Sequence, residues 1–505
     1  MKNIKYLILA FAFLSAFSCG KNFGDINTDP NNPAIVPGEF LLTNAEQSFA
    51  NLSGGFLNVY LSGLWAQYWS QSNYTDESRY QYRPLTVNSI WSVYYSNMLE
   101  DLREIQRLIS ESPDAASARS QNQLAVAKIL EVAVFHDLTD IFGPIPYSEA
   151  LQADRNRTPQ YDSQQAVYQG LLRDLKAAIG QIDESAGSFG AGDIIYGGDM
   201  AKWKAFAQSL RLRIGMRMAD VDAAAAKAEV EDAAAGAFAG NDGNATFRYR
   251  TGQPNNHPLN QFRVERIDAD WGMSDIFIDK TLLPLNDPRL PVFADEKVNG
   301  GGYKGRPYGQ NSGNAAGESP DLYSQPSGAA VIRTGAGEFK PNDVLAPDGL
   351  SRFMSYAEVC FILAEARERN WNVPGTAAEW YHAGIAASME EWGINDPAIV
   401  DAYIAQPAVN YAAAPGSWKQ KIGVQKWIAL FTQGIQGWCE WRRLDFQKLE
   451  LPVDGVIQDV GDKPAPVRLV YPVTEQSQNQ AAYQQGVQLL GGPDRLFTRV
   501  WWDVE

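Results

Sequence analysis

The chain has 505 residues, 45% hydrophobic and 20% charged, a balance that allows a sizeable core and excludes global disorder. Its 43 Lys+Arg against 59 Asp+Glu give a formal charge of −16 with no basic stripe, which excludes nucleic acid and anionic lipid heads as partners. Three histidines occur, His136, His257 and His382, none near another in sequence, so a histidine zinc site or a His-dependent triad has little to build on.

At the N-terminus, Lys2 and Lys5 precede an apolar run at 6–14 that ends in Ser15-Ala16-Phe17-Ser18-Cys19. A basic start, a short apolar stretch and small residues before a cleavage point read as a secretory signal, too short to span a bilayer. A cysteine directly after the small Ser18 makes it a lipoprotein signal, with Cys19 as the lipid anchor. An ordinary cleaved signal with an incidental Cys19 is the alternative. Residues 20–37 are a polar tether. Its run Asp25-Ile26-Asn27-Thr28-Asp29-Pro30-Asn31 superficially resembles a calcium loop, but Pro30 stands where the central glycine belongs, and an Asx-turn linker is the reading.

Helical periodicity follows. Trp91, Tyr95, Met98, Leu102, Ile105 and Ile109 step by fours and threes, as do Leu124, Ala127, Leu130, Val134, Leu138 and Ile141, a helix that Gly143-Pro144 ends. Tyr168 to Ile182, Trp203 to Ile214 and an alanine-rich stretch near 223–235 give three more. From 241 to 349 Gly, Asn, Pro and Ser dominate, which predicts long functional loops with short strands. Helices resume through Phe353, Ala357, Cys360 and Ala364, then Tyr381, Ile385, Ser388 and Trp392, then Val424, Trp427, Phe431, Ile435 and Trp438; 463–505 reads as an irregular tail. Cys360 and Cys439 sit in apolar helical patterns and read as buried thiols, with a bridge between them left open.

The expected organisation is a signal at 1–18, a tether at 19–37, a helical scaffold at 38–240 with an inserted aromatic loop, a loop-rich ligand-binding region at 241–350, and C-terminal helices with an irregular tail at 351–505. The fold class is mainly α: a tetratricopeptide-like superhelix of helix pairs, without a clean 34-residue repeat, plus a few short strands.

Four stretches are family-like: Asp140-Ile141-Phe142-Gly143-Pro144-Ile145-Pro146-Tyr147; Tyr356-Ala357-Glu358-Val359-Cys360-Phe361-Ile362-Leu363-Ala364-Glu365-Ala366; Gln425 to Phe431 with Gly437-Trp438-Cys439-Glu440-Trp441-Arg442-Arg443; and 468–480 with Tyr471-Pro472 and Glu475. With the Asp25 to Asn31 start, they lie in the order of the SusD/RagB family of Bacteroidota nutrient-binding lipoproteins, which the chain resembles over nearly its whole mature length. The resemblance implies tetratricopeptide-like helix pairs, a loop-borne ligand site, and a location on the outer membrane, lipid-anchored and facing the exterior. It also implies a SusC-type TonB-dependent barrel as partner, over which the protein sits as a lid. Ligands would be oligosaccharides, or peptides in some branches, caught without chemistry and passed inward. Neither a cofactor nor a metal site is read from the residues, and whether an ion such as Ca2+ assists binding stays open.

A sugar offers apolar C–H faces and a rim of hydroxyls, so its site wants flat rings beside Asn, Gln, Asp or Arg. Two stretches have that composition: 65–82, and the middle region with Asn255, Asn256, Gln261, Arg263, Asp270, Trp271, Tyr303, Tyr308 and Tyr323. Trp65 and Tyr68 fit a helical face and belong to the core. Trp69, Asn73, Tyr74, Tyr80, Arg263, Trp271 and Tyr303, in polar and weakly periodic surroundings, are the candidate ligand contacts. If so, Trp69→Ala or Trp271→Ala weakens binding at unchanged melting temperature. Arg442-Arg443 reads as structural. A glycosidase needs two carboxylates across a cleft, which 59 acidic residues neither supply nor deny, and no nucleophile elbow, phosphate loop, HExxH or CxxC stands out. A protein-only helical adaptor is the other rival, and the long aromatic middle speaks against it.

Overall fold

The computed structural model describes residues 36–152, 155–265 and 270–504; the signal sequence, Cys19 and all but the end of the tether lie outside the described residues. Helices α1 (Gly38–Asn51), α2 (Glu100–Ser110), α3 (Ala118–Phe142), α4 (Gln164–Gln181), α5 (Met200–Arg217) and α6 (Ala223–Ala233) each pack on the next. A second series, α7 (Tyr356–Glu368), α8 (Ala377–Glu391), α9 (Trp418–Ala429) and α10 (Gly434–Leu444), does the same and joins the first where α7 lies on α5. This is the expected superhelix of stacked helix pairs. Local chemistry starts these helices where the sequence says. Ser117, Ser163 and Asp199 each accept the amide three residues on, and Thr376/Glu379 and Ser417/Gln420 close reciprocal capping boxes on α8 and α9. Gly143, at φ +86°, turns the chain out of α3.

Three local readings need correction. Phe353 lies not in a helix but in a strand, Leu350–Met354, at the irregularity where that strand pairs with Ala245–Arg248. The apolar period from Val424 to Trp438 is broken: α9 ends at Ala429, Thr432 takes φ +71°, and α10 begins at Gly434. Periodicity survived that break because both helices turn an apolar face to one core. The tail is also more regular than expected, with helices Val473–Gln478 and α11 (Gln480–Leu490).

The strands form two antiparallel ribbons: β1 (Trp69–Gln71) with β3 (Trp271–Met273), and β2 (Ala245–Arg248) with β4 (Leu350–Met354). One main core runs from Leu42 to Trp502 and includes Phe277, Phe293 and Tyr308 of the loop-rich middle, so that region is anchored on the helices.

Between α3, α5, α7, α9 and α10 lies a buried ionic network. Arg213 pairs with Glu358 at 2.6 Å, Arg443 with Glu365 at 2.6 Å and Glu440 at 2.7 Å, and Arg217 and Lys426 each reach Glu440 at 3.0 Å. Arg442 donates to the carbonyls of Asp140 and Val467 while its guanidinium lies 3.7 Å from the Trp438 ring centroid. Arg442-Arg443 is therefore structural, and the family-like stretches are where this network is written. Cys360 and Cys439 are buried and unbridged, burial pushing each thiol up to about 12.

Asp137, on α3 beside this network, is buried and accepts from Gln436 at 2.9 Å; burial pushes its carboxyl up to about 7 from 3.8. The folded chain therefore holds a proton that the unfolded chain releases. Its contribution to stability is full below about pH 4 and is lost as pH rises towards 7. An Asp137→Asn variant should lose less stability than the parent across that rise. Urea midpoints of both proteins at the two ends of the window measure it, and parallel pH profiles would exclude the assignment.

Candidate functional site

The β1–β3 ribbon joins the two stretches that the sequence singles out. Trp69 pairs with Met273, Ser70 with Gly272 and Gln71 with Trp271, so the loop after β1 emerges beside Asp270. The amides of Ser72 and Asn73 donate to the Asp270 carbonyl at 2.8 and 3.4 Å. Beyond them the chain turns outward at Tyr74, which takes φ +49° and is 58% exposed. A bulky residue in the left-handed region is rare and needs its surroundings to hold it. Here Gln71 supplies the hold, donating to Glu77 at 3.0 Å and accepting the Ser78 amide at 2.9 Å, while Arg83 pairs with Glu77 at 3.1 Å. Burial raises the Glu77 carboxyl, and the Gln71 and Arg83 contacts pull it back. With both partners engaged, Glu77 is a clamp for the loop and poorly placed as an acid or base.

Four of the candidate contacts are not where the sequence reading put them. Trp69, Tyr80, Trp271 and Arg263 are 0%, 0%, 2% and 3% exposed. Trp69 meets Trp271 edge-on at 5.0 Å and Phe431 at 5.0 Å, and its Nε1 reaches Asn58 at 3.4 Å. Arg263 stacks 5.0 Å from the Trp271 ring and donates to the Trp271 carbonyl and to Gln325, each at 3.2 Å. Tyr80 lies beneath Tyr308, its hydroxyl accepting from Gln67 at 3.3 Å. Polar neighbours in sequence had suggested exposure for these rings. Trp69 and Trp271 share one face of the short ribbon with Gln71 and Met273, and that face points into the helical core, where the rings fix the loop rather than meet solvent. The expectation that Trp69→Ala or Trp271→Ala leaves the melting temperature unchanged falls with it.

Asn73 and Tyr74 are exposed at the loop tip. Tyr303 is half-buried on a separate turn after Gly300-Gly301-Gly302, all three at positive φ, its ring against the core. Of the other middle-region rings, Tyr308 is buried and donates to the Leu64 carbonyl, and Tyr323 is buried under Arg306, whose guanidinium lies 4.5 Å from its centroid.

A third segment, which no local pattern announces, frames the site. Residues 450–458, from the C-terminal part, lie along the loop: the Ile457 amide donates to the Arg79 carbonyl at 2.8 Å, and Arg79 donates to the carbonyls of Asp454 and Gly455. The Asp454 carboxylate accepts from the Asn311 amide, Asn311 Nδ2 and Asn314 Nδ2 at 2.7, 2.9 and 2.8 Å, contacts that hold it below the usual carboxylate range. Thr75 touches Ser312 at 3.2 Å, which joins all three segments. Such tail-to-loop contacts carry no local pattern and could not be read ahead of the fold.

The arrangement presents an exposed ring and a neighbouring amide on a rigid base, which suits a flat, hydroxylated ligand. A recess of about 740 Å³ between α2, α3 and α4 is roomier, but it is lined by Arg103, Glu104, Arg107 and Lys128 with no aromatic ring, so a sugar face finds no platform there.

Comparison with known proteins gives one consistent picture. A family profile described as "SusD-like_2: Starch-binding associating with outer membrane" matches residues 30–472. A solved "chitin-binding protein" is similar at 28% identity, covering 93% of this chain and 100% of its own, with a TM-score of 0.77. A chitin-binding SusD homolog from Flavobacterium johnsoniae shares 26% identity over 93% and 98% of the two chains, with a TM-score of 0.76. A SusD homolog from Bacteroides uniformis shares 26% over 92% and 100%, with a TM-score of 0.77. None of the curated proteins matches.

Proposed function

This chain belongs to the SusD-like family of starch-binding, outer-membrane-associated proteins, and on that premise we propose that it captures oligosaccharides at the cell surface on the loop after β1. The observation that carries the reading is Tyr74, held outward by a clamped loop on the β1–β3 ribbon with Asn73 beside it. Its ring stacks on a sugar's C–H face while Asn73 bonds the hydroxyl rim; the 311–314 turn, in contact at Thr75, extends the surface, and Tyr303 on its own turn is a separate candidate contact. Trp69, Trp271, Arg263 and Tyr80 serve as the base of that loop. Two chitin-binding relatives make chitooligosaccharides the first ligands to test, with starch oligosaccharides second. Peptide capture is the alternative within the same family.

The protein binds without turnover. Delivery to a SusC-type TonB-dependent barrel and anchoring through a lipid on Cys19 complete the proposal; among the described residues no helix is long and apolar enough to cross a membrane. Calorimetry with chitooligosaccharides on the parent and on Tyr74→Ala tests the site. Loss of a stacking ring should weaken affinity about tenfold, at unchanged melting temperature. Equal affinity in the two proteins would remove Tyr74 from the site, and released reducing ends on incubation would make the protein an enzyme.

A further inference from the structure

A second recess lies where α9 breaks before α10. It is smaller, about 280 Å³, near the lower end of the size range of small-molecule sites, and it is walled by β4, the 339–349 loop, Trp392 at the end of α8 and Thr432. Thr432 holds φ +71°, as does Asn342 across the recess. For a β-branched residue that conformation is a true outlier, of the kind that gathers at ligand sites.

The polar groups here are not matched to one another. Trp392 is 3% exposed, and its indole N–H has no hydrogen-bond partner among the described residues. The ring itself is fixed: the Arg352 guanidinium lies 4.2 Å from its centroid and Phe293 meets it edge-on at 4.8 Å. Arg352 is bound to Glu391 at 2.7 Å, yet the other oxygen of that carboxylate, Oε2, is buried and also unpaired. A buried donor on a residue that lines the recess, with a buried acceptor left open behind the arginine that lines it, marks a place where something polar belongs, because a buried polar group without a partner is costly.

Charge narrows what that is. Arg248, Lys340 and Arg352 line the recess with positive charge; Asp343 and Asp348 line it with negative charge, and Glu391 backs Arg352. The sum is neutral, which disfavours an anion or a cation. Donors and acceptors stand on the same walls as Leu259, Phe339 and Val344, so a ligand meets both polar and apolar surface. A molecule that donates and accepts through hydroxyls and also carries C–H faces fits that mixture. We propose that this recess is a second binding site, distinct from the loop after β1, which takes a single neutral sugar residue with an oxygen placed on the Trp392 indole N–H.

The probes are glucose and N-acetylglucosamine, with acetate as the anionic control. In the indole N–H spectrum of the isotope-labelled protein, the resonance missing from Trp392→Phe belongs to Trp392. It should shift saturably with at least one of the two sugars and not with acetate. The same shift should persist in Tyr74→Ala, which separates this site from the loop site whatever becomes of the latter. Trp392→Phe keeps the ring over Arg352 and leaves no new polar group unpaired, so its melting temperature should hold while monosaccharide affinity falls about tenfold. Should that variant fold poorly, parent crystals soaked in either sugar give the same answer from density in the recess. A Trp392 resonance indifferent to both sugars, a recess holding only water, or a response to acetate alone overturns the proposal.

Discussion

A Glu440→Ala variant should lose about 3–5 kcal/mol of stability, the usual cost of stripping one partner from a buried ionic network. Glu440 is 3% exposed and gathers Arg217, Lys426 and Arg443. Those cations hold its carboxyl well below the ordinary range in spite of burial. Without it Arg217 keeps Asp140 and Arg443 keeps Glu365, but Lys426 loses its ion-pair partner. Burial already lowers the Lys426 ammonium, and the variant removes the carboxylate that does most to raise it. Urea denaturation measures the loss. The double variant Glu440→Ala/Lys426→Met should recover a substantial part of it, because an apolar replacement leaves no stranded charge. If the single variant unfolds within about 1 kcal/mol of the parent, the network does not hold the helices together.

Trp69→Ala should be as damaging, at about 3–5 kcal/mol, the range for deleting a fully buried tryptophan. The ring is sealed between Trp271 and Phe431, and its strand carries the Tyr74 loop. Stability and binding should therefore fall together in this variant, whereas Tyr74→Ala, on the exposed tip, should move binding alone. Thermal melts beside calorimetry on both variants separate the two roles. A Trp69→Ala protein that melts like the parent and still fails to bind would return that ring to the ligand surface.

The two variants bear on where family resemblance resides. Glu358, Glu365, Lys426, Glu440, Arg442 and Arg443 all lie in the family-like stretches, and all are spent on holding α5, α7, α9 and α10 in register or, for Arg442, on tying α10 to the end of α3 and to Val467. None of them lies on the candidate ligand loop. Such stretches identify the scaffold and leave the ligand undetermined, which is why chitin and starch both stand as candidates for this chain.

Read alone, the sequence determined most of the helices, the stop of α3 at Gly143, and the two aromatic stretches from which the candidate site is built. These follow from local periodicity and from end chemistry that acts within a few residues. Tertiary structure alone decided which rings face out. Along 69–80 polar and aromatic residues alternate too irregularly to show a face, and it is the pairing of Gln71 with Trp271 that sends Trp69 and Trp271 inward and leaves Tyr74 outside. The same holds for the clamp from 450–458, and for the recess at Thr432, where one left-handed residue ends an apolar period that the sequence carries straight through. Burial is a property of what packs on a residue, and for these positions the packing partners lie hundreds of residues away.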